Sequence, residues 1–177
     1  MSGGLAEGRG DAGFARHANM LRQVARQLDD WIAAQNREAR REGLPTIRSC
    51  HIRVVGQTAL LEVGVPLTLV ATRDVDVTAD YESAVEAEFR RLLRMKGREL
   101  NPLGHEIWMP RETRYSMLHA GRSVELSVAD PEAVLVSKAL KAPDKNLALI
   151  IEYLARGPST RFLTLAKKYR INLEQFL

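Results

Sequence analysis

The chain has 177 residues, of which 45% are hydrophobic and 27% charged, with a formal net charge of +4. That length and apolar fraction suffice for a sizeable core and exclude an intrinsically disordered protein. No apolar run has the length to cross a bilayer, and the opening "MSGGLAEGRGDAG" lacks the hydrophobic stretch of a signal peptide, so a cytoplasmic address without membrane contact is expected. The single cysteine, Cys50, leaves no internal disulfide and reads as a small buried thiol. A pI near 9.5 permits a nucleic-acid or nucleotide partner. The basic runs "REARREG", "RRLLRMKGR" and "AKKYR" each read as a solvated helical face.

Residues 1–13 hold five of the twelve glycines and read as a disordered leader. A helical period over 14–44 has Leu21, Val24, Leu28, Trp31 or Ile32, and Gln35 on one stripe, ended by Gly43 and Pro45. Its apolar breadth makes it a candidate homodimer element. Residues 46–128 read as an α/β core. "TIRSCHIRVVG" alternates as a strand, "TALLEVGV" is a short helix, and "LTLVATRDVDV" is extended, with Leu67, Leu69, Ala71, Val75 and Val77 on one parity. Asp80 is placed to cap the next helix, whose stripe is Tyr81, Val85, Phe89 and Leu92. "EIWMP", "RYSML" and "SVELSV" read as strands. Residues 129–177 form a helical C-terminal part opened by Asp130-Pro131. The predicted class is α+β, a mixed sheet flanked by helices.

In the extended reading of 69–77, Asp74 and Asp76 project to one face, with Thr72 and Val70 behind them. Two neighbouring carboxylates repel, and burial of an unpaired one is costly, so a positive group belongs beside them. Glu125 points away from Val124 and Leu126, on the face of Ser123 and Ser127. If its strand pairs beside 74–76, three carboxylates meet, an arrangement tolerable only around divalent cations. Oxygen-only ligands favour magnesium, and two such ions clamp an in-line phosphoryl or nucleotidyl displacement. The third carboxylate then binds the second metal or takes a proton from the attacking hydroxyl. His17, His51, His105 and His119 are scattered without zinc-ligand spacing, Trp31 and Trp108 read as packing residues, and no Walker loop or Ser-His-Asp arrangement occurs.

"VVGQTALLEVGVPLTLVATRDVDV" resembles the signature of the DNA polymerase beta-like nucleotidyltransferase superfamily, a glycine turn after a strand, a short helix, then Asp-x-Asp. The closer likeness is to small bacterial nucleotidyltransferase-like proteins of the abortive-infection AbiEii toxin type. It rests on Gly56, Ala59 and Leu60, then Thr72, Asp74, Val75 and Asp76, then Lys138 in "DPEAVLVSKALKAPDKN" and Lys145-Asn146 after it. The resemblance implies that Asp74, Asp76 and Glu125 form the catalytic, magnesium-binding set. It implies that Gly56 lets the backbone approach a nucleoside triphosphate, near Gln57 and Thr72, and that Lys138 and Lys145 meet phosphate or an acidic acceptor. Two positions depart from the pattern: Gln57 replaces a second glycine or serine, and Asn146 replaces an aspartate.

The implied function is transfer of a nucleotidyl group from a magnesium-bound nucleoside triphosphate to a hydroxyl on an RNA end, a protein or a small molecule, with a toxin-like role. The rival, supported by Gln57 and Asn146, is a catalytically silent nucleotide-binding or regulatory module, such as one half of a toxin–antitoxin-like pair with a cognate antitoxin-like protein. A third reading is an interaction scaffold that dimerises through the first helix.

Overall fold

The computed structural model describes the backbone of residues 9–177 and the side chains of residues 20–177. Helix α1 (Arg9–Arg41) is followed by β1 (Cys50–Val54), α2 (Gly56–Val63), β2 (Asp74–Val75), β3 (Val77–Ala79), α3 (Ser83–Met95), β4 (Glu99–Leu100), β5 (Tyr115–Ala120) and β6 (Val124–Ala129). Helices α4 (Pro131–Lys141), α5 (Leu147–Ala155) and α6 (Thr160–Lys168) end the chain, with 3-10 turns at Gly104–Glu106 and Leu173–Phe176. The class is α+β, with a mixed sheet flanked by helices. In that sheet β1 lies between β3, antiparallel to it, and β6, parallel to it, and β5 pairs antiparallel with β6.

Helix α1 starts at Arg9, so the glycine-containing stretch 9–13 is helical, and residues 1–8 of the expected leader lie outside the described residues. Leu21, Val24, Ala25, Leu28, Ile32 and Asn36 recur at the helical period and are all buried, because α1 packs on α2, α3, β5 and β6. The apolar stripe is therefore consumed inside this chain, which corrects its reading as a dimer face. Burial of each such Leu or Ile stabilises the fold by about 1.5–3 kcal/mol. The stripe closes on Asn36 rather than Gln35: Asn36 Nδ2 donates to the Ile47 carbonyl at 3.1 Å and its Oδ1 accepts from the Ile47 N–H at 2.7 Å, pinning the chain into β1.

Strand β1 alternates as its sequence implies, with Cys50, Ile52 and Val54 in the core and His51 and Arg53 on the other face. Leu126 and Val128 of β6, Val85 and Phe89 of α3, and Val134, Leu135 and Val136 of α4 share that core. Burial pushes the Cys50 thiol up to about 11, so it is an inert core group.

Three expected local structures are corrected. The stretch before Asp74 is not a strand; it is an irregular segment held by Glu152, whose carboxylate accepts from the Thr68 N–H at 3.1 Å, while Leu67 and Leu69 still pack on the core. Asp80 does not cap α3; its Oδ1 accepts from the His51 N–H at 2.7 Å, which serves β1 instead. "EIWMP" is not a strand: Trp108 packs edge-on against Tyr169 at 5.1 Å, and the strand beside β2 is β4.

The β5–β6 hairpin is tied to α1 by Asp29, which accepts from the Ser123 N–H at 2.8 Å through Oδ1 and lies 3.1 Å from His119 Nε2 through Oδ2. A Cβ on Gly121 would fall 1.4 Å from Asp29 Oδ2. Gly121→Ala is expected to break this tie and cost about 1–3 kcal/mol, the scale of unmade buried hydrogen bonds, measured by urea denaturation.

Glu62 on α2 is held up to about 7 by burial, against the opposing pull of Arg22. Its native form thus holds a proton that the unfolded chain releases between about pH 4.5 and 7, so the contribution of Glu62 to stability is greatest below 4.5 and is lost as pH rises through 7. Glu62→Gln is expected to flatten this slope, read from denaturation midpoints across pH.

Candidate functional site

The chain leaves the C-terminal end of β1 at Val55 and turns into α2 through Gly56, which has φ of +60°. In open sheets, ligands gather at the carboxyl ends of parallel strands, and β1 with β6 forms such a pair here. Asp74 and Asp76 reach the same end, because the Val55 N–H donates to the Asp76 carbonyl at 2.9 Å and Val54 pairs with Val77. Asp76 sits between β2, which pairs with β4, and β3, which pairs with β1. The break directs the two acids differently: Asp74 is exposed and Asp76 is only 8% exposed.

Thr58, fully buried in the first turn of α2, fastens this corner: its Oγ1 accepts from the Asp76 N–H at 3.0 Å and donates to the Asp74 carbonyl at 3.3 Å. The Asp76 carboxylate accepts from Asn101 Nδ2 at 2.7 Å and from the backbone N–H of Gln57. Val55 supplies no side-chain cap to α2, so Asp76 acts on the helix N-terminus from a neighbouring strand, where negative charge is favoured. A Cβ at residue 56 would come within 2.7 Å of Asp76 Oδ2, and glycine keeps that space open.

The positive group that the acids require is Lys138 of α4. Burial lowers its affinity for a proton while the Asp76 charge restores part of it. Asp76 is the mirror case: burial raises its pKa, the Asn101 hydrogen bond and Lys138 lower it, and the Asp74 charge raises it again. Lys138 Nζ also donates to Asn146 Oδ1 at 3.4 Å, and Lys145 is near enough to repel the Lys138 charge. Asn146 donates in turn to the Ala142 carbonyl at 2.9 Å.

Six of the eight residues singled out from sequence converge here: Gly56, Gln57, Asp74, Asp76, Lys138 and Lys145. Gln57 turns its amide outward to the Val70 carbonyl at 3.0 Å. Thr72 instead shapes the approach to β2, its Oγ1 accepting from the Asp74 N–H at 3.1 Å and its carbonyl accepting from Arg98 at 2.7 Å.

Glu125 is not part of the group. β6 runs parallel to β1, so Glu125 pairs with His51 near the start of β1, while the acids sit beyond Val54, which pairs with Val128. Three residues of strand separate the two levels, about 10 Å along the sheet. Glu125 is exposed, 3.9 Å from His51 Nδ1, and lines a hollow with Cys50, Asp80 and Arg122. The expected meeting of three carboxylates is thereby corrected. Among the described residues, no three His, Cys, Asp or Glu side chains are grouped to hold a metal. Two carboxylates remain at this end of the sheet, exposed Asp74 and buried Asp76, and magnesium commonly takes one or two, completing its shell with water and phosphate.

Thr58 and Asn101 are the site residues that sequence reading missed. Thr58 lies inside the glycine-turn stretch but at a position its pattern does not specify, and Asn101 lies outside every quoted motif and meets Asp76 only because β4 pairs with β2. Away from the site, α3 carries Arg90 against Glu86, Arg91 against Glu88 and Arg94 against Glu99, so that basic run is a paired, solvated face. Among the described residues no helix is long and apolar enough to cross a membrane. Comparison with family models, with curated proteins and with solved structures finds no match to this chain.

Proposed function

We propose that this protein binds a magnesium nucleoside triphosphate between the Asp74–Asp76 pair and Lys138, and transfers its nucleotidyl group to a hydroxyl acceptor. The observation that carries the reading is the junction itself. A glycine of positive φ opens α2 against a buried Asp76, with a partly buried lysine opposite. Acids for a cation and donors for phosphate thus lie side by side.

Asp74 and Asp76 would hold one magnesium ion, which when bound neutralises phosphate oxygens and polarises the α-phosphorus. Gly56 would let the phosphates approach the backbone where the chain enters α2, beside the Gln57 N–H that Asp76 holds. Lys138 and Lys145 would meet the negative charge that grows on departing pyrophosphate as the acceptor O–Pα bond forms, the bond from Pα to the bridging oxygen breaks, and the acceptor hydroxyl's proton passes to water. The acceptor is an RNA end, a protein or a small molecule, with the basic balance favouring RNA, and a toxin-like role would bring a cognate antitoxin-like partner.

A second reading, a catalytically silent nucleotide-binding module, is favoured by one observation: Glu125 lies at the far end of β1 and leaves two acids at the site. Incubation with each α-labelled triphosphate, magnesium and total RNA separates the two. Label on an acceptor supports transfer, and thermal stabilisation by triphosphate without label supports the silent module. Neither effect overturns both.

A further inference from the structure

We infer that α5 is the contact surface for a second copy of this chain, paired antiparallel about a two-fold axis at Ile151; the pairing does not depend on the chemistry proposed above. Eight of the nine residues in "LALIIEYLA" are apolar, yet only Ile150 is fully buried. A helix apolar all round is ordinarily covered on every side. Ile150 enters the core, Leu149, Tyr153 and Leu154 pack against it, and Tyr153 meets Phe162 edge-on at 4.9 Å. The opposite face is open. Leu147 and Ile151 are each 42% exposed, and Ala148 and Ala155 stand beside them in solvent. These four fall within about 100° of the helix circumference, with no charged side chain among them. By contrast α6, also nine residues long, buries Phe162, Leu165 and Ala166 and turns Lys167 and Lys168 to water.

The open stripe is complementary to itself. With the axis at Ile151, antiparallel pairing sets Leu147 of each copy on Ala155 of the other, large against small, so the helices can close to the short end of the 8–10 Å range. A parallel pair would set leucine on leucine and leave alanine facing alanine. Charge favours the same arrangement. Asp144 is exposed and makes no ion pair among the described residues. The turn before α5, closed by the Asn146 N–H on the Ala142 carbonyl at 3.1 Å, leaves Asp144 three and four positions ahead of Leu147 and Ala148, in line with the stripe. Lys145 falls instead on the side of Glu152. Antiparallel pairing brings Asp144 to the end of the second copy's helix, where Arg156 stands. Arg156 holds Glu152 at 3.0 Å and has further N–H donors for a second carboxylate.

A contact of this length buries less surface than a permanent dimer needs, which places the pair in the weak, concentration-dependent class. Its position matters nonetheless. Arg156 of the second copy comes level with Asn146, whose Oδ1 accepts from Lys138 at 3.4 Å, so each copy borders the other's candidate site.

The test is sedimentation equilibrium of the full chain from micromolar to millimolar concentration. The mass should rise from 19.8 kDa toward twice that value and stop there, because a two-fold contact closes on itself. Ile151→Asp sets two carboxylates face to face on the axis and is expected to weaken association by at least about 100-fold. Its melting temperature at high dilution should stay within about 4 °C of the parent, since the position is exposed. Leu147→Ala and Ala155→Leu are each expected to weaken association about tenfold, and the two together to restore it to within about threefold, because leucine again lies on alanine. Damage to the fold alone would give no such rescue. A single-chain mass at every concentration, growth past two chains, an Ile151→Asp chain that associates like the parent, or no recovery in the double variant would each overturn the inference.

Discussion

Asp76→Asn is expected to abolish cation binding and to lower nucleotidyl transfer by at least about a thousandfold, the factor that several kcal/mol of metal-derived charge stabilisation represents. Asp76 is the buried acid of the pair and the one that touches α2, Asn101 and Thr58 together. Asparagine preserves its shape and still accepts from Asn101, but carries one oxygen instead of two. The acceptor opposite the Gln57 N–H is lost, a cost of about 1 kcal/mol, which a chain of this size tolerates. Lost binding in a folded variant, checked by circular dichroism alongside Mn²⁺ titration, would trace the defect to the charge. Because burial raises the Asp76 pKa, the protonated form persists above the ordinary carboxylate range. Cation binding by the parent should therefore weaken as pH falls toward that range. The stability that Asp76 contributes runs the other way, being fullest at low pH and declining as pH rises through its raised pKa.

Gly56→Ala is expected to be the most damaging neutral substitution at the site. Its φ of +60° costs an alanine about 1–2 kcal/mol by itself. The new Cβ would stand 2.7 Å from Asp76 Oδ2 and 3.2 Å from its Cγ, so the carboxylate must leave its bonds to Asn101 and Gln57. The sum is about 2–4 kcal/mol of stability, together with a more than about tenfold loss of Mn²⁺ affinity. Gly43→Ala isolates the backbone part, since φ there is +69° and a Cβ at that position would meet no atom within 4 Å. That control should lose about 1 kcal/mol and leave cation binding unchanged. Equal losses of binding in the two variants would remove the special status of Gly56.

Much of this site was legible because its parts are local. The strand–glycine–helix junction at Gly56 and the helical placement of Lys138 follow from short-range periodicity, and α4 and α2 pack together to complete the group. Alternation also assigned Glu125 to the correct face of β6, exposed beside buried Val124 and Leu126. It could not assign the end of the sheet. That depends on β6 running parallel to β1, a fact of long-range pairing to which a period of two is blind. The same blindness made residues 67–73 look like strand, because their apolar side chains meet the core from an irregular backbone.

Other misreadings have the same origin. An amphipathic α1 announces a buried face without naming its partner, and here the partner is the chain's own sheet and helices. Asn101 meets Asp76 across 25 residues of sequence. Polar residues joined at that separation leave no local pattern, and only the folded chain reveals that an amide stands beside the buried acid.

The most direct test is a crystal structure of the chain with Mg²⁺ and a non-hydrolysable triphosphate. The expected result is one cation about 2.1 Å from carboxylate oxygens of Asp74 and Asp76, with phosphate at the start of α2 and near Lys138. A triphosphate bound elsewhere, or Asp76 still engaged only by Asn101, Gln57 and Lys138 with no cation beside it, would contradict the assignment.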